Sequence, residues 1–184
     1  PDLDIIIPLY KSRSNLGPLV SRLGDWIASG ELDVRVIFVD DGGADGTFEA
    51  LPMALANVRF KSLSLKLAKN YGQHTATAIG FSQSTAPLVA TIDDDLQHDP
   101  FQLNTMLSTL REENVDLIYG IYDKKKHSIV RNLGSFLLKK ILWTGGRDYS
   151  AVTSFRLMKS SVVSVFKNVQ LPVIFVDEYL IENA

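Results

Sequence analysis

The 184-residue chain contains no cysteine, an absence that removes disulfides, thiolate nucleophiles and zinc–thiolate sites together. A reducing, cytoplasmic setting is the expectation. Long apolar runs are also missing. The longest, such as Ile5–Leu9 and Pro87–Ile92, fall far short of the roughly 18 residues that cross a bilayer, and no signal-peptide pattern opens the chain. Neither charge is in excess. The 19 basic and 21 acidic side chains leave a net charge of −2, too weak a field to gather nucleic acid. Two glycine signatures are absent as well: Gly-x-Gly-x-x-Gly after the first apolar run, and Gly-x-x-x-x-Gly-Lys-Ser/Thr anywhere. Dehydrogenase and P-loop readings weaken accordingly.

What is present is a globular composition, 46% hydrophobic and 22% charged, in a length that suits one domain of about 150 residues. Asp4–Leu9 and Val34–Val39 are β-branched, nearly continuous apolar runs, the pattern of strands covered on both faces of a parallel sheet. Between them Leu16, Leu19, Val20, Leu23, Trp26 and Ile27 recur at helical spacing. The rhythm continues with a helix from Thr47, a strand at Val58–Leu65 and a helix at Gln73–Ser82. It goes on with a strand at Leu88–Ile92, a helix at Pro100–Glu112 and a strand at Asp116–Ile121. This predicts an α/β domain, doubly wound around a mostly parallel central sheet with helices on both faces. The regularity fades after Tyr122, where a basic stretch, Lys124–Lys126, precedes an amphipathic segment at Ile129–Trp143. The chain starts at Pro1 and stops at Ala184 within a charged, helix-like stretch, so residues 1–184 are expected to be a single catalytic domain truncated at its C-terminus.

Ligands of open parallel sheets bind outside the carboxyl ends of the strands. Three of those ends are polar here, at Pro8–Ser12, Asp40–Thr47 and Asp93–Pro100, and acidic residues dominate. Carboxylates in place of glycine amides suit a hard divalent cation that in turn holds a diphosphate. If the chain stays extended past the strand, Asp93 and Asp95 point the same way with Gln97, and Asp94 points opposite. A solvated turn with Asp99 capping the helix at Pro100 is the competing account of the same residues. Mutual repulsion of adjacent carboxylates favours the metal. Asp45 reads as the cap of the next helix, whereas a carboxylate at Asp40 or Asp41 can accept from a base N–H or a ribose hydroxyl.

Together, Ile5–Tyr10, Val39–Thr47, Lys69–Gln73, Asp93–His98 and Ser154–Leu157 resemble, in order and spacing, glycosyltransferase family 2. The branch they resemble is that of the polyprenyl-phosphate sugar transferases. The resemblance implies a GT-A fold and an inverting hexosyltransferase that takes its sugar from a nucleotide-diphosphate donor. It implies Pro8, Tyr10, Val39, Asp41, Asp93 and Asp94 as the nucleotide-sugar pocket, and Asp93, Asp95 and Gln97 as ligands of Mg²⁺ or Mn²⁺. Asp93, Asp95 and Arg156 become the catalytic candidates, and Arg131, Ser154 and Arg156 face the acceptor phosphate. The implied partners are the nucleotide sugar, a polyprenyl-phosphate or glycan acceptor, and a membrane surface reached on its cytoplasmic side through segments outside this chain. Ser12 departs from the branch, which carries glutamate there, and Ser154 replaces an aspartate common in bacterial relatives. His74 and His98 are expected to have structural roles. A glycan hydroxyl acceptor needs a base, for which Asp177 and Glu178 are the candidates, whereas a phosphate acceptor does not. A nucleotidyltransferase of the same fold and a non-catalytic partner domain are the rival readings.

Overall fold

A computed structural model describes residues 1–120, 153–168, 172–173 and 175–184. Lys124–Lys126, Arg131 and the Ile129–Trp143 segment lie outside the described residues. The expected alternation is present: β1 (Leu3–Leu9), α1 (Leu16–Ala28), β2 (Val34–Asp40), α2 (Thr47–Ala54), β3 (Lys61–Lys66), α3 (Gln73–Ser82) and β4 (Leu88–Thr91). A short 3-10 turn at Pro100–Gln102 leads into α4 (Leu103–Glu112), followed by β5 (Leu117–Tyr119). After residue 152 come β6 (Arg156–Lys159), α5 (Ser160–Val163) and α6 (Val176–Glu182). The third strand starts later than its apolar pattern suggests: pairing with β2 begins at Lys61, while Val58 and Phe60 pack against the core ahead of it.

The sheet order is β3-β2-β1-β4-β6-β5. β1 pairs in parallel with β2 and β4, and β2 with β3, whereas β6 is antiparallel to both β4 and β5. Residue alternation along a strand explains the two cores. Ile5, Ile7 and Leu9 of β1 pack with Leu19, Leu23, Met106 and Leu107 of α1 and α4. Ile6 of the same strand, with Ile37 and Val39 of β2, faces Ala76 and Phe81 of α3, Phe166, and Leu180 of α6. At Gly80 helix α3 lies close against β1: a Cβ there would sit 2.2 Å from Cγ2 of Ile6.

Asp4 is a charged residue within this core. It is fully buried, and Arg35, its cross-strand neighbour on β2, holds both carboxylate oxygens at 2.8 Å. The backbone N–H groups of Thr85 and Ala86 also donate to it, at 2.7 and 3.0 Å. Burial raises its pKa, but the Arg35 hydrogen bond and the two N–H groups outweigh burial, so the net shift is downward from 3.8. A lowered carboxylate adds stability that is complete above the unfolded value and is lost as the pH falls through it toward the folded value. Asp4→Asn is expected to lower the urea midpoint at about pH 7 and to flatten its decline toward about pH 3. Parallel curves for variant and parent over that range would contradict this.

Candidate active site

The loops that leave β1, β2, β3 and β4 meet at the carboxyl edge of the sheet around a cavity of ≈ 340 Å³. It is lined by Pro8, Leu9, Tyr10, Asp41, Asn70, Gly72, Gln73, Asp93, Asp94 and Asp95. Glycine makes this meeting possible at one point. Gly42 has φ +68°, and a Cβ there would stand 2.4 Å from the backbone carbonyl carbon of Lys69. Gly42→Ala therefore adds strain and a clash that only separation of the β2 and β3 loops relieves. The expected result is weaker nucleotide binding, read by calorimetry; unchanged affinity would show that this contact does not shape the cavity.

Asp41 receives the backbone N–H groups of Tyr71 and Gly72 at 2.7 and 2.8 Å, and so holds the β3 loop against the cavity. Asp45 accepts from the backbone N–H and hydroxyl of Thr47 at the start of α2, but it is not the cap expected of it: Gly46 occupies the N-cap position, and Asp45 stands one residue before it. Asp40, at the end of β2, is fully buried and is not among the lining residues; burial raises its pKa. Val39 is also fully buried, with its side chain in the core on the α3 side of the sheet.

The acidic run after β4 is not extended. Asp94 and Asp95 form a turn and Leu96 has φ +60°, so the strict alternation expected for Asp93, Asp95 and Gln97 stops at the strand end. All three aspartates nevertheless reach the cavity. Asp93 accepts from Nε2 of Gln73 at 2.7 Å on one carboxylate oxygen and from the hydroxyl of Ser154 on the other. Asp94 is pushed above the ordinary carboxylate range by burial, with the neighbouring charges of Asp93 and Asp95 adding to it and a Ser12 hydrogen bond opposing it. Asp95 is exposed and accepts the backbone N–H of Gln97 at 3.0 Å. Gln97 is exposed and does not line the cavity. Asp99 caps the turn through the N–H of Phe101 and pairs with Arg22 at 2.6 Å, which accounts for it structurally.

Among the described residues, no group of three or more His, Cys, Asp or Glu side chains is placed to hold a metal ion. The donor chemistry still fits Mg²⁺ or Mn²⁺, which take few protein carboxylates and complete their shell with water and phosphate oxygens. Asp93 and Asp95, on the wall of a cavity large enough for a small ligand, supply hard oxygen donors of that kind.

A second cavity of ≈ 260 Å³ shares Gln73 with the first and is otherwise lined by His74, Thr77, Thr153, Ser154, Arg156, Phe175 and Asp177. Arg156 is 4% exposed, not a surface residue. Its Nε and Nη2 donate to the two oxygens of Asp177, each at 2.7 Å, and the hydroxyl of Tyr119 donates to the same carboxylate at 2.9 Å. Burial, then the charge of Asp177, pushes the Tyr119 hydroxyl well above its ordinary pKa, so it remains a donor. His74 accepts the N–H of Val176 on Nδ1 at 3.4 Å, and burial lowers its pKa. His98 is buried and stacks on Phe155 with ring centroids 4.7 Å apart.

The contribution of the β3 loop, Asn70, Gly72 and Gln73, was not legible from acidic residues because that loop carries none. The strand-end rule applied to every strand end identifies it.

A sheet of this order, with a carboxylate-walled cleft at its carboxyl edge, has the GT-A fold. Staphylococcus aureus TarS 1–349 in complex with UDP-GlcNAc superimposes with a TM-score of 0.71 at 15% identity, over 100% of this chain and 53% of that one. Residues 4–163 match the description "Glycosyl transferase family 2", and the chain belongs to that family. Dodecaprenyl-phosphate galacturonate synthase of Rhizobium johnstonii is 29% identical over 174 residues, covering 90% of this chain and 50% of the relative. The Yersinia enterocolitica undecaprenyl-phosphate 4-deoxy-4-formamido-L-arabinose transferase is 29% identical over 140 residues, 76% of this chain and 42% of the relative. The chain thus spans half or less of the length of these two relatives. A Pyrobaculum calidifontis mannosyltransferase in complex with GDP-Man and Mn²⁺ shares the fold at a TM-score of 0.53 and 20% identity, over 65% of this chain and 35% of that one.

Proposed function

We propose that this chain is the donor-binding catalytic domain of an enzyme that moves a sugar from a nucleotide diphosphate to polyprenyl phosphate. One observation carries the choice of acceptor. Asp177, the carboxylate of the second cavity, is engaged on both oxygens by Arg156 and on one by Tyr119, so it is not a free base. His74 is a poor base as well, since burial disfavours its protonated ring and its Nδ1 faces the Val176 N–H. A hydroxyl acceptor must lose a proton, whereas a phosphate arrives already anionic. The two polyprenyl-phosphate relatives support the same choice.

In this reading Pro8, Tyr10, Asn70 and Asp94 form the wall against which the nucleotide lies, with Asp41 holding the β3 loop in place. Asp93 and Asp95 would hold Mg²⁺ or Mn²⁺, and the ion would neutralise charge on the departing diphosphate. An acceptor phosphate oxygen forms the new bond to the anomeric carbon as the bond from that carbon to the diphosphate breaks, its electron pair leaving with the diphosphate. Attack opposite the leaving group inverts the anomeric centre.

Among the described residues, no helix is long and apolar enough to cross a membrane. The sequence offers Lys124–Lys126 and Arg131, outside the described residues, as cationic candidates for the lipid phosphate. A nucleotidyltransferase shares the fold, since the diphosphocytidyl-methylerythritol synthase of Anaerococcus prevotii superimposes at a TM-score of 0.59 and 12% identity. The absence of glycine between Pro8 and Asn15 disfavours that activity.

The test gives the full-length enzyme radiolabelled nucleotide sugar with either a short polyprenyl phosphate or an oligosaccharide. Label should enter the lipid, and Glu178→Gln should leave that transfer intact. Label confined to the water-soluble oligosaccharide would overturn the assignment.

A further inference from the structure

Arg156 and Asp177 form the buried ion pair of the second cavity, yet their hydrogen bonds lead out of it toward the first. The remaining nitrogen of the guanidinium, Nη1, donates to the carbonyl of Ser154 at 3.1 Å and to Oγ1 of Thr91 at 3.2 Å. The Thr91 hydroxyl donates to the same Ser154 carbonyl. Ser154 is therefore fixed through its backbone by side chains of β4 and β6, while its hydroxyl donates to Asp93. Gln73, from the first turn of α3, holds the other oxygen of Asp93. Four of the five N–H groups of Arg156 are committed within the protein, so its planar fork is not available to a phosphate.

We propose that Arg156 and Asp177 are positioning residues, which fix Ser154 and through it the orientation of the Asp93 carboxylate at the donor cavity. The inference rests on the reading that Asp93 binds the divalent ion. Ligating carboxylates are themselves held by hydrogen bonds, and loss of such an outer partner weakens metal affinity by about 10–100-fold. Asp93 is only half-buried, and packing alone does not set its carboxylate plane. Ser154 and Gln73 do so from opposite sides.

The experiment uses the full-length protein and Mn²⁺ alone as the probe, with the free ion followed by its electron paramagnetic resonance signal. Ser154→Ala removes the hydroxyl and leaves the ion pair in place; it should weaken Mn²⁺ binding by roughly 10–100-fold while the melting temperature stays near that of the parent. Ser154→Thr, which restores a hydroxyl, should recover most of the affinity. Arg156→Lys keeps a charge for Asp177 but has a single donor group in place of the fork, and should weaken Mn²⁺ binding to a similar degree. A Ser154→Ala variant with parental Mn²⁺ affinity overturns the proposal and leaves the metal assignment standing. A parent that takes up no Mn²⁺ overturns both.

Discussion

Asp95→Asn is expected to eliminate the metal-dependent part of nucleotide binding, a loss of more than roughly 100-fold if the ligand itself matters more than its outer partners. Asp95 is exposed at the cavity wall, and the hydrogen bond it accepts from the Gln97 N–H is one that an asparagine oxygen also accepts. The substitution thus removes a charge and a hard donor without removing a packing contact. Its effect on stability should stay within about 0.5 kcal/mol, as for other surface changes. Calorimetry with UDP and with GDP, each with and without Mn²⁺, separates the two quantities. Parental affinity in Mn²⁺ would remove Asp95 from the ion site.

Asp177→Ala is expected to cause the largest loss of stability. Asp177 is 1% exposed, and its removal leaves the guanidinium of Arg156 buried without its counter-charge. Breaking a buried pair in this way typically costs about 3–5 kcal/mol, which in a domain of this size lowers the melting temperature by roughly 6–20 °C. Replacing both partners by apolar residues, as in Arg156→Met with Asp177→Leu, should recover much of that loss while losing the hold on Ser154. Thermal melts of the two variants, compared with the Mn²⁺ affinity of the double variant, distinguish a need for charge from a need for shape. A single variant as stable as the parent would show that Arg156 finds another partner.

Much of the fold was legible because β1 and β2 are buried on both faces and are apolar along most of their length, the Asp4–Arg35 pair and Asp40 apart, and because α1 must turn one stripe toward them. β6 was not. Four residues, Arg156–Lys159, carry no periodicity that distinguishes an antiparallel insertion from a helix turn, and their partners are set by packing between β4 and β5. In the site, the acidic strand ends drew attention to Asp41 and to Asp93–Asp95, all of which line one cavity. The same reasoning overreached at Gln97, because the turn at Leu96 ends the alternation on which it depended. The pairing of Arg156 with Asp177 joins a strand to a helix 21 residues later, and no local pattern encodes such a meeting.

The insertion of β6 between β4 and β5 also bears on how the chain acquires its shape. β1 and β2 meet across about 31 residues, as Asp4 and Arg35 do, whereas β4 must wait for a strand whose Arg156 lies 65 residues beyond Thr91. Closing a longer loop is slower and entropically harder, so the parallel β1, β2 and β3, paired across the shorter separations, are expected to form first, and β4, distant in sequence from both of its neighbours, to join them later. During synthesis, β4 leaves the ribosome well before its neighbour and presents an unpaired edge in the interval. Among the described strands β6 is the last to leave the ribosome, so the second cavity, which Ser154 and Arg156 line, gains that side only when the sheet closes.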